Sequence, residues 1–158
     1  RRDHLDVLAE RLGPACPNVI VLRGGAGARS RRETLARLRA LPVDEPRLLL
    51  ATGRYIGEGF DDSRLDTLFL ALPISWRGTL VQYAGRLRRP HAGKVEARIV
   101  DYVDREVPML ARMFERRRTG YRSIGYREAA AVGHTVFPSD DGDLAGDRTG
   151  DPLEFHKW

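Results

Sequence analysis

The sequence predicts an α/β fold: a parallel sheet with helices on both faces. Three observations predict it. Segments of helical periodicity alternate with short apolar runs. Those runs are apolar throughout rather than at every second residue, as in strands buried on both faces. Polar, Gly-rich loops follow two of the runs directly, at the carboxyl ends of strands, where open α/β sheets collect ligands.

The elements follow in order. Residues 4–12 (HLDVLAERL) set Leu5, Leu8 and Leu12 at helical spacing, and Gly13-Pro14 ends that helix. Val19–Leu22 is a β-branched run that reads as a strand. The loop holding Gly24, Gly25 and Gly27 comes next. Ser30 with Glu33 three residues on is a capping-box pattern. It predicts a helix over residues 31–41 with Leu35, Leu38 and Leu41 on its apolar face. Pro42 and Pro46 bracket a turn that takes in Asp44 and Glu45. Leu48–Ala51 is a second strand, followed by TGRYIGEGFDD. Thr67–Leu72 is a third strand, and Pro73 and Ser75 introduce a helix that runs to Leu87. Val95–Tyr102 is a fourth strand. Val107–Arg117 is a last amphipathic helix, with Val107, Leu110, Ala111 and Phe114 toward the core and Arg112 and Arg116–Arg118 as a basic edge. Residues 1–128 are expected to form one domain and residues 129–158 an acidic, Gly/Asp-rich, flexible tail. No strand precedes the opening helix, so one is expected ahead of residue 1. Residue 1 is Arg and the methionines are Met109 and Met113, so the chain reads as a fragment.

Composition excludes several classes. A single cysteine, Cys16, leaves no internal disulfide and no cysteine-rich zinc module. The four histidines (His4, His91, His134, His156) are scattered without ligand spacing. No apolar run nears the ~18–20 residues of a membrane span, and no signal-peptide pattern is visible. A cytoplasmic protein without a membrane partner is expected. The net charge is +5, unevenly spread. Residues 138–158 hold six acids against two bases, a net −4, which leaves +9 on residues 1–137. The bases are Arg except Lys94 and Lys157. A planar guanidinium fork suits phosphate oxygens, so the body of the chain is expected to meet a polyanion.

Two segments carry chemistry. In SWRGTLVQYAGRLRRP (residues 75–90), Gln82, Arg86 and Arg89 are spaced by four and three and project from one helix face. Leu80, Tyr83, Ala84 and Leu87 form a separate core stripe. Gly85, beside the polar stripe, lets a ligand approach closely. Two arginines beside an amide at a helix end make an anion clamp suited to a transferring phosphoryl group. In ATGRYIGEGFD (residues 51–61), Thr52 and Gly53 stand at a strand end, able to bind a phosphate through backbone amides and a hydroxyl. Gly57 and Gly59 allow tight turns, and Asp61 suits a ribose.

Together these segments resemble the second RecA-like (P-loop NTPase-type) domain of superfamily 2 helicases, in the DEAD/DEAH-like, restriction- and repair-type group. Residues 51–61 resemble motif V through Thr52, Gly53, Glu58, Gly59 and Asp61, and residues 82–89 (QYAGRLRR) resemble motif VI. About 20 residues holding one strand lie between them. The resemblance spans residues 4–128 and includes the IVDYVD stretch. It implies that Arg86 and Arg89 are arginine fingers acting on ATP held with Mg by a sister domain, the N-terminal RecA-like domain. Gln82 would contact the nucleotide or couple hydrolysis to motion. Gly59, Asp61 and Gly85 would border the nucleotide. Thr52, Gly53, Gly25 and Arg29 would approach the nucleic-acid backbone, with DNA favoured over RNA. The chain has no GxxxxGK[ST] loop, and Asp44-Glu45 precedes a strand instead of following one. ATP hydrolysis by this chain alone is therefore not expected. The other reading left open is a non-catalytic nucleic-acid-binding or regulatory module that keeps this fold.

Overall fold

The computed structural model describes residues 2–23, 25, 27–52, 62–75, 78–129 and 152–157. They fall into two compact units, Arg1–Asp61 and Asp62–Trp158. The first holds α1 (Arg2–Leu12), β1 (Val19–Leu22), α2 (Ala28–Ala40) and β2 (Leu48–Ala51). Strands β1 and β2 pair in parallel, with Val19 opposite Leu48 and Leu22 opposite Ala51. Helix α1 packs on both strands and α2 on β1. The core is apolar, formed by Leu5, Ile20, Leu22, Leu38 and Leu50. Asn18 Nδ2 donates to Glu45 Oε2 (2.9 Å) and to the Pro46 carbonyl (3.0 Å), which ties the turn before β2 to the start of β1. Glu45 thus serves as the turn residue its position implied.

The capping box predicted at Ser30 and Glu33 does not form. Helix α2 starts earlier, with Gly27 as N-cap in extended conformation and no side-chain cap. Glu33 instead accepts from Arg29 Nε at 2.9 Å, one turn away. The Ser30 carbonyl accepts the Thr34 hydroxyl. An i,i+4 charge pair inside the helix has replaced the reciprocal cap at its end.

The second unit holds β3 (Thr67–Leu70), α3 (Gly78–Leu87), β4 (Ala97–Tyr102), α4 (Pro108–Ser123), β5 (Arg127–Glu128) and β6 (Pro152–Lys157). The sheet order is β3-β4-β6-β5. Strands β3 and β4 are parallel, whereas β6 runs antiparallel to both β4 and β5. The fold is α/β, as expected, but this sheet is mixed rather than wholly parallel. The difference comes from residues 152–157, which composition alone assigns to the tail. Within PLEFHK, residues 153–156 alternate apolar and polar, a half-buried strand pattern that the surrounding Asp and Gly concealed. It pairs along the whole of β4, from Ala97 opposite Lys157 to Tyr102 opposite Pro152, so β4 lies inside the sheet. Ile99 and Val100 are buried accordingly.

Helix α4 runs six residues beyond its predicted end and closes in a Schellman motif. Tyr126 N–H bonds the Tyr121 carbonyl and Gly125 N–H bonds the Arg122 carbonyl, each at 2.9 Å. Gly125 has φ 86°, which L side chains resist. Gly125→Ala is expected to lower stability by about 1–2 kcal/mol, read as a lower urea midpoint with an unchanged slope. No change would show that the turn does not need the left-handed residue.

Candidate functional site

Helix α3 divides as its periodicity predicted. Leu80 and Ala84 are fully buried, and Tyr83 and Leu87 nearly so. Burying a side chain such as Leu80 contributes roughly 1.5–3 kcal/mol, which fixes the rotation of the helix. Gln82 and Gly85 are exposed and Arg86 is half-buried on the remaining surface. A Cβ added at Gly85 would meet no atom within 4 Å, so the space beside this glycine is not filled by the described part of the chain.

The carbonyls at the end of α3 lack helical partners and are satisfied by three routes. Arg88 N–H bonds the Gly85 carbonyl (3.2 Å) and Arg89 N–H bonds the Arg86 carbonyl (3.1 Å), which tightens the last turn. The Tyr126 hydroxyl donates to the Ala84 carbonyl at 3.1 Å. Arg89 therefore lies past the helix, exposed, on a turn anchored to Arg86. Both arginines also interact with other groups of the chain.

Lys94 fixes this corner. Its Nζ donates to the carbonyls of Arg89 (3.2 Å), Ser63 (3.1 Å) and Leu65 (2.5 Å). All three ammonium protons are directed at main-chain oxygens. Burial pulls the Lys94 amine below its usual range, while Asp66 and Asp62 act the other way. Beside it, Asp62 accepts both Arg64 Nε and Nη2 at 2.8 Å, and that hydrogen bonding raises the Arg64 guanidinium. Lys94 lies ahead of β4, and Ser63 and Leu65 ahead of β3. The arginine end of α3 is thus at the amino ends of these strands. Sequence patterning does not pick out Lys94, although it is one of only two lysines among the bases.

In the first unit, Gly25 follows β1 and Thr52 follows β2. The Leu22–Ala51 pairing puts both at the same, carboxyl end of the two strands. Gly25 has φ 83°. Arg29 is in the first turn of α2, exposed and paired with Glu33. Gly53, Glu58, Gly59 and Asp61 lie outside the described residues, as do Gly24 and Gly57.

One part of the expected basic edge is not at the surface. Arg117 is 1 % exposed and belongs to the core. Its Nε and Nη2 reach Asp101 Oδ2 and Oδ1 at 2.8 and 2.9 Å, and Nη1 donates to the Ile74 carbonyl at 2.8 Å. The Tyr121 hydroxyl also donates to Asp101 Oδ2, at 2.9 Å. Arg118 is held by Glu115 and Glu128. Arg112 and Arg116 remain exposed.

The buried phenols set an alkaline limit. Burial pushes Tyr126 up to about 12, against a lowering by Arg88. Burial also raises Tyr121, helped by the Asp101 charge. A raised acid stays neutral in the folded chain after it has ionised in the unfolded one. Stability is therefore complete below about pH 10, the ordinary phenol value, and falls as pH climbs toward about 12. Urea midpoints should drop across that window, and the drop should be shallower in Tyr126→Phe. A flat profile would show that the phenols are solvated.

Among the described residues no group of three or more His, Cys, Asp or Glu is placed to hold a metal ion. Among them, too, no helix is long and apolar enough to cross a membrane. No protein-family model, no curated protein and no solved structure matches this chain.

Proposed function

We propose that this chain is the C-terminal, RecA-like motor half of a superfamily 2 helicase or translocase, driven by ATP and working on nucleic acid, DNA in preference to RNA, in the cytoplasm. The observation that carries the reading is the division of α3. The four residues of the core stripe are buried, while Gln82, Gly85 and Arg86 of the motif VI-like segment are left on the other surface, with Arg89 on the turn beyond. The donor set suits a triphosphate: two guanidinium forks, an amide and an open glycine surface between them.

In this reading Arg86 and Arg89 stabilise charge developing on the γ-phosphate of ATP, which is held with Mg by an N-terminal sister domain. Gln82 orients the nucleotide. Gly59 and Asp61 border it. Thr52, Gly53, Gly25 and Arg29 contact the nucleic-acid backbone, and the shared end of β1 and β2 where Thr52 and Gly25 lie supports the grouping of those two. Closing and reopening of the two domains would step the pair along a strand. The experiment is ATP turnover by this chain joined to a Walker-containing first domain, with and without Arg86→Ala. Unaltered turnover would leave the module without motor function, as a nucleic-acid binder of the same fold.

A further inference from the structure

A groove of about 450 Å³ opens where β4 ends and α4 runs past it. It is separate from the arginine end of α3, which lies at the opposite ends of the strands. Its floor is apolar, formed by Val103, Ala111 and Phe114, with Val103 and Phe114 buried. Arg105, Arg112 and Arg116 stand around it, exposed, and none of their side chains has a hydrogen-bond or ion-pair partner among the described residues. The two carboxylates in the wall, Glu115 and Glu128, are each already engaged by Arg118, and Glu128 also by Arg122 (3.0 Å). The wall carboxylates are thus compensated, and the groove lining holds four arginines against two glutamates, a net +2. The carboxyl end of a strand is also where open α/β sheets seat their ligands.

We propose that this groove binds single-stranded nucleic acid, with a sugar or base edge against the part-exposed Ala111 and successive phosphates on Arg105, Arg112 and Arg116. Arg112 and Arg116 are one helical turn apart, about 6 Å along the axis, so two forks are offered in sequence to a repeating anion. A positively charged groove that tracks a repeating phosphate backbone is the feature that sequence-tolerant single-strand binders share. The choice of nucleic acid as the anion rests on the proposed function; the groove itself does not depend on the arginine fingers.

The test is fluorescence anisotropy of a labelled oligothymidylate with the 158-residue chain, without ATP or a second domain. The variant is Arg105→Gln/Arg112→Gln/Arg116→Gln, whose exposed side chains have no folded partner to lose. A charge-matched control, Arg11→Gln/Arg37→Gln/Arg39→Gln, removes three exposed arginines from the first unit. The groove variant should bind roughly tenfold or more weakly, and its slope of log affinity against log salt should shrink by about 2, as expected for three lost phosphate contacts on a single strand. The control should stay near wild type. Equal loss in both variants would overturn the groove in favour of general charge attraction. Binding of poly-glutamate in place of the oligonucleotide, lost in the groove variant, would overturn it in favour of an acidic protein partner. A mononucleotide that competes as well as the strand would overturn the extended track. None of these outcomes touches the turnover test of Arg86.

Discussion

Asp101→Ala is expected to destabilise the unit Asp62–Trp158 by about 3–5 kcal/mol, the penalty for leaving a buried charge without its partner. Asp101 is 1 % exposed and is the sole carboxylate among the described contacts of the Arg117 guanidinium, which is equally buried. Removing the acid strands that cation beneath α4, with the Ile74 carbonyl as its remaining described acceptor. The Tyr121 hydroxyl loses its acceptor at the same time. Tyr121→Phe removes one donor and leaves the ion pair intact, so about 1 kcal/mol is expected. Replacing both charges together, Asp101→Leu/Arg117→Met, should recover most of the loss, because a matched apolar pair has no unpaired charge. Urea unfolding of the four proteins measures this. A loss below 1 kcal/mol for Asp101→Ala would mean that water reaches Arg117.

This network also marks the limit of what the sequence reveals. Periodicity located β1 and β2 at their observed bounds and separated Leu80, Tyr83, Ala84 and Leu87 from Gln82 and Arg86. Such patterns are legible because burial is decided locally, by which face of one element is apolar. Arg116, Arg117 and Arg118 are chemically identical in the sequence, and what distinguishes them is long-range. One meets Asp101 sixteen positions away, one meets Glu128, and Arg116 meets no described partner. Asp101 itself is a signal of this network in the sequence. An acid that follows the buried Ile99 and Val100 in a strand must find a cation or stay neutral. Strand β6 is hidden for a related reason: its partner β4 is some fifty residues away in the chain, and its alternation spans only the four residues 153–156. The predicted box at Ser30 does not form because the helix starts three residues earlier, at Ala28, which puts Ser30 inside it and leaves Glu33 to pair with Arg29.

Arg86→Ala, in this chain joined to a Walker-containing domain, is expected to lower ATP turnover by ~10³–10⁵ while ATP binding is largely kept. A guanidinium that acts on charge developing in the transition state contributes to kcat far more than to ground-state affinity. Arg86→Lys should recover little, because an ammonium cannot offer the planar fork. Arg89→Ala should behave in the same way. Lys94 grips the Arg89 carbonyl rather than its side chain, so the turn is retained when the side chain goes. Gly85→Ala separates a structural from a functional role for this surface. The added methyl meets nothing within 4 Å, and Ala is the better helix former by about 1 kcal/mol. The variant chain should be as stable as wild type or more so. If a triphosphate on a neighbouring domain closes onto this helix, the same methyl obstructs it and turnover falls while the urea midpoint holds or rises. If turnover and stability both survive Gly85→Ala, nothing approaches α3 at that point. If Arg86→Ala also leaves turnover intact, the arginines belong to a solvated surface and the motor reading fails.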